Sequence, residues 1–67
     1  MASIYEILMY LQVIFAGNTY TTDQINKYQT DYQAQINQVQ TSSATMTYVN
    51  NTYTDDRILV LDPNEIN

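Results

Sequence analysis

Apolar residues return at seven-residue intervals through the middle of the chain, at Ile25, Tyr32, Val39 and Met46. The positions between them are almost all polar and uncharged: Gln24, Asn26, Gln29, Thr30, Gln33, Gln35, Asn37, Gln38 and Gln40. A heptad recurrence predicts a helix that presents one narrow seam to a partner. With Tyr28 and Ile36 added, the seam advances in steps of three and four and predicts a long helix over residues 23–46, its start reaching back to residue 22. Gln35, Ser42 and Ser43 interrupt it, and the charge pairs that flank free-standing coiled coils are missing. Such a helix needs other contacts to hold it.

A denser apolar pattern precedes it. Ile4, Ile7, Leu8, Leu11, Ile14 and Phe15 share one helical face, widened by Met9 and Val13. A helix over residues 3–16 follows, with Ser3 as N-cap and Glu6 completing a capping box. Gly17, the single glycine, stands where a left-handed C-terminal cap belongs. Residues 18–22 are then a turn, in which Thr21 or Thr22 caps the second helix and Asp23 lies near its positive end. So short a connection favours an antiparallel helical hairpin.

From Thr45 onward β-branched and aromatic residues accumulate. Residues 47–67 therefore read as an extended tail holding a short strand or hairpin. Thr47-Tyr48-Val49 and Thr52-Tyr53-Thr54 flank Asn50-Asn51, a pair suited to a two-residue turn. Arg57–Leu61 is an apolar run expected as strand, with a short helix beginning at Asp55 as the competing reading. An internal echo supports that alternative: Asn18–Ile25 matches Asn51–Ile58 at six of eight positions. The expected fold is thus mainly α, one small domain consisting of an apolar helix (1–17), a turn (18–22), a long polar helix (23–46) and an extended tail (47–67).

Composition narrows the function. A chain of 67 residues buries little core, and domains of this size are commonly held by disulfides, a metal or oligomerisation. The chain has no Cys and no His, so disulfides and common zinc sites are ruled out, leaving oligomerisation. Two cations against seven acidic residues give a net charge of −5, which disfavours direct nucleic-acid binding and attraction to anionic membranes. The run 4–16 is shorter than the roughly 20 residues of a membrane span and carries Glu6 and Gln12. No basic segment precedes it, so no signal peptide is expected.

Chemistry has few candidates. Without His or Cys, a Ser or Thr nucleophile would depend on Lys27, and the pairs Asp55–Asp56 and Asp62–Glu65 lie among turn residues. Asp62-Pro63-Asn64-Glu65 lacks the spacing and glycine of a calcium loop. Asn50-Asn51-Thr52 fits a glycosylation sequon, an expected coincidence in a chain rich in Asn and Thr. No catalytic residue, metal or cofactor is expected. Core packing accounts for some of the seven Tyr residues, and the others suggest contact surface, since a tyrosine offers area and a hydroxyl that a wet interface can satisfy.

The expected function is a non-enzymatic structural subunit of a larger assembly such as a virion, a phage tail or neck, or a secreted filament. Its partners are copies of itself or other structural proteins. Interface candidates are Ile25, Tyr28, Tyr32, Ile36, Val39 and Met46 on the seam, with Tyr20, Tyr48, Tyr53, Ile58 and Val60 outside it. A small membrane-associated protein inserted through residues 4–16 and an acidic binding module or inhibitor are the alternatives.

Overall fold

The computed structural model describes residues 2–53 and 58–61. Among these residues the protein is mainly helical, with four helices and a small two-stranded parallel sheet. In chain order these are α1 (Ile4–Tyr10), β1 (Thr19–Thr21), α2 (Thr22–Asp31), α3 (Gln33–Gln40), α4 (Ser43–Thr52) and β2 (Leu59–Leu61).

Helix α1 begins as its sequence dictates. The Ser3 hydroxyl accepts from the Glu6 amide at 3.2 Å, and the Glu6 carboxylate accepts from the Ser3 amide at 2.7 Å. The helix stops six residues earlier than expected, at Tyr10 rather than residue 16. Gln12 turns into the left-handed region at φ +62°, and its amide donates to the Met9 carbonyl at 3.0 Å. The Val13 amide reaches back to the Leu8 carbonyl, also at 3.0 Å. These two bonds form a Schellman cap, which satisfies carbonyls that a helix end otherwise leaves open. The expected helix 3–16 is therefore a helix of seven residues followed by an irregular segment. Seven residues rise about 10 Å, against the roughly 30 Å of a bilayer core. Among the described residues no helix is long and apolar enough to cross a membrane.

The expected long helix 22–46 is divided among α2, α3 and the start of α4. Tyr32 separates the first two, with φ −111° and ψ 22°. Its amide still bonds the Tyr28 carbonyl and its own carbonyl still accepts from Ile36, both at 2.9 Å. The interruption is thus a bend, and Thr30 supplies a cause: its hydroxyl donates to the Asn26 carbonyl at 3.2 Å, a back-bond that commonly bends helices. The second break is complete. Ser42 is extended, at φ −108° and ψ 107°, and its hydroxyl accepts from the Thr45 amide at 3.3 Å, so it starts a new helix.

Residues 47–52, expected as part of an extended tail with a hairpin at Asn50-Asn51, lie within α4. Met46, Val49 and Tyr53 explain the outcome, because their spacing puts all three on one helical face. Val49 is fully buried, and the other two pack against the core. Packing there outweighs the strand preference of the threonines. Within the expected run Arg57–Leu61, a strand occupies Leu59–Leu61, while the competing helix is absent from residues 58–61. Its partner is unforeseen. Thr19–Thr21, expected as turn, pairs with it in parallel in the register Thr19 with Leu59, Tyr20 with Val60 and Thr21 with Leu61. The two copies of the internal echo differ accordingly. Asn18–Ile25 forms β1 and the start of α2, whereas Asn51 and Thr52 end α4.

Helix α1 lies against α3 and α4, and α2 continues from β1. The core between them is Ala2, Ile7, Leu8, Met9, Ile14, Ile25, Ile36, Val39 and Val49. Every member is apolar, and among the described residues no polar or charged side chain is buried.

Candidate interaction surface

Among the described residues the polar side chains all lie at least partly at the surface. Among the described residues no group of three or more Asp, Glu, His or Cys gathers as a metal site would require. Asp55, Asp56, Asp62 and Glu65 lie outside the described residues. Lys27 donates to Asp31 at 2.9 Å on the exposed face of α2. That hydrogen bond, and the negative charge beside it, raise the ammonium's pKa above its ordinary value. Both side chains remain solvated, so the pair adds little to stability.

The heptad seam divides between the interior and the surface. Ile25, Ile36 and Val39 are buried in the chain's own core, and Tyr28 and Met46 are half-buried against it. Tyr32 alone of the seam is exposed. The remaining candidates divide similarly. Tyr20, Tyr53, Ile58 and Val60 are half-buried against the core, and Tyr48 is 54% exposed.

The tyrosines meet one another edge to face. Tyr10 packs against Tyr48 at 6.0 Å and Tyr53 at 6.4 Å between ring centroids, joining α1 to the middle and the C-terminal end of α4. Tyr20 packs against Tyr28 at 6.4 Å. Its hydroxyl accepts from the Phe15 amide at 2.9 Å, tying the loop after α1 to β1. Of the tyrosines outside the seam that were expected at an interface, Tyr20 and Tyr53 therefore pack within the chain.

Three exposed apolar residues escaped the sequence reading: Phe15, Leu59 and Leu61. The signal for the two leucines was present. In a strand, residues two apart share a face, so with Val60 turned inward Leu59 and Leu61 must turn outward.

Two grooves flank helix α3. A groove of about 340 Å³ is lined by Ile4, Gln29, Thr30, Gln33, Ile36 and Gln40. A second, of about 290 Å³, is lined by Tyr10, Leu11, Gln35, Gln38, Val39 and Thr45. Helical spacing puts the two sets on opposite flanks of α3, with exposed Ala34 and Asn37 forming the ridge between them. Each groove has an apolar floor and an amide rim. No charged residue occurs in the sequence between Asp31 and Asp55, so α3 and α4 form a wholly uncharged face.

Amide and hydroxyl groups both donate and accept, so such a face can satisfy a copy of itself without opposite charges. Comparison with protein-family models, curated proteins and solved structures found no match to this chain.

Proposed function

We propose that the chain is a non-enzymatic structural subunit that packs against copies of itself or other structural proteins in a larger assembly, such as a virion, a phage tail or neck, or a secreted filament. One observation carries this reading: the uncharged face of α3 and α4, with amide-rimmed grooves on either side of the Asn37 ridge and Tyr32 and Tyr48 exposed beside it. Burying an amide that finds a partner costs little, whereas burying an unpaired charge costs several kcal/mol. Ile25, Ile36 and Val39 are engaged internally, so the contacts between chains shift to the remaining faces of the same helices. Among the described residues β2 pairs with β1 alone, and its other edge, flanked by the exposed Leu59 and Leu61, adds a second surface for strand pairing with a neighbour.

Analytical ultracentrifugation of the intact chain over a wide concentration range, alone and as N37E, tests the proposal. The wild-type chain is expected to associate as concentration rises. N37E sets a carboxylate on the ridge and is expected to shift the chain toward monomer while leaving its helical circular dichroism unchanged. A wild-type chain that stays monomeric throughout, with a cooperative melt of its own, would contradict the assembly reading.

A further inference from the structure

Helix α1 ends where its sequence pattern does not. The apolar stripe of Ile4, Leu8 and Leu11 continues at helical spacing to Phe15, yet the backbone leaves the helix at Gln12. The stop uses a poorly suited residue. Gln12 occupies the left-handed region at φ +62°, which disfavours an L side chain by roughly tenfold relative to a right-handed residue. Five residues on, Gly17 already holds φ +88° in open surroundings, the conformation a helix-ending glycine adopts. Between the two stops, Phe15 is 54% exposed, and its amide bonds the Tyr20 hydroxyl rather than a helical carbonyl.

The geometry points to a conformational switch, in which α1 has two alternative C-terminal stops and residues 12–16 form its extension segment. In the state described here the Gln12 stop is used. In the second state residues 12–16 join α1, Gly17 becomes its cap, and Phe15 aligns with Ile4, Leu8 and Leu11. The change reaches the sheet. In the longer helix the Phe15 amide bonds the Leu11 carbonyl, which breaks its hydrogen bond with the Tyr20 hydroxyl and loosens β1 from the segment after α1. The change lengthens an apolar stripe and loosens a strand in one step. This inference is independent of the assembly reading, because both states belong to a single chain.

NMR of the full chain as Q12A, Q12G and the double variant Q12A/G17A tests it. Q12A removes none of the helical preference while keeping the left-handed penalty. It is expected to move the Cα shifts of residues 13–16 toward helical values and to speed amide exchange at Tyr20. Q12G relieves the strain at the first stop and is expected to keep residues 13–16 non-helical and slow that exchange. In Q12A/G17A the second stop is strained in turn, and the helical shifts are expected to fall back. Residues 13–16 that stay non-helical in Q12A, with β1 as protected as in Q12G, would overturn the proposal.

Discussion

At the scale of single residues, the core is too small to lose a member. Leu8 is fully buried and lies in a cluster of nine side chains that brings α1 together with α2, α3 and α4. Removing its branched end in L8A is expected to cost about 2–5 kcal/mol, comparable with the whole stability of a domain this size. Circular dichroism should show L8A largely unfolded at a temperature where the wild-type chain is folded. The sequence marked most of these residues as apolar stripes, but it did not reveal which stripe met which. Ile25, Ile36 and Val39 illustrate the difficulty. A seam in steps of three and four records that a helix face is covered, and the cover is the same chemistry whether it comes from α1 or from another chain. Phe15 was hidden for the opposite reason, since an apolar residue in an apolar stripe carries no mark of being left outside, whereas alternation about Val60 did mark Leu59 and Leu61.

At the scale of elements, helix starts were more legible than helix ends. Ser3 with Glu6 forms the anticipated capping box, and Thr21 makes a second with Gln24, accepting from its amide at 3.1 Å. A cap is a local bargain between a side chain and amides two or three residues away, so it can be read without knowing the fold. The breaks at Tyr32 and Ser42 and the early end at Gln12 involve no glycine or proline. The first follows the Thr30 back-bond, the second the Ser42 cap and the third a backbone cap at Gln12, and the apolar pattern along the chain displays none of these. Thr21 also ends β1, opposite Leu61, so one residue serves both a strand and a helix. T21V keeps the strand preference and loses the oxygen. It is expected to lower stability by about 1 kcal/mol in urea titration, while T21S is expected to stay near wild type.

At the scale of the whole molecule, charge is segregated from the proposed contact surface. The chain carries −5 overall, while α3 and α4 carry nothing. Two copies meeting on that face gain no ion pairs and still feel the repulsion of their net charges. Salt screens that repulsion, with a Debye length of about 10 Å at 0.1 M. Association measured by sedimentation is therefore expected to strengthen as salt is raised. An interface built on ion pairs would weaken instead, and such a trend would direct the search away from α3 and α4. The broad plan of a small, mainly helical, uncharged-faced protein was legible in composition and pattern. The sheet's pairing was not, since the partners Thr19–Thr21 and Leu59–Leu61 are remote in sequence and share no pattern that links them.

That remoteness has a consequence in time. Leu59 emerges about forty residues after Thr19, so at about 5–20 residues per second β1 waits roughly 2–8 s for its own partner during synthesis. For that interval the start of α2 hangs from a strand with nothing beside it. Three residues are a brief ladder to hold against exchange. Where many chains are made close together, a β2 completed on one is an eligible partner for a β1 still waiting on another. Domain swapping through this strand would join neighbouring chains by the same three pairings that otherwise close each chain upon itself.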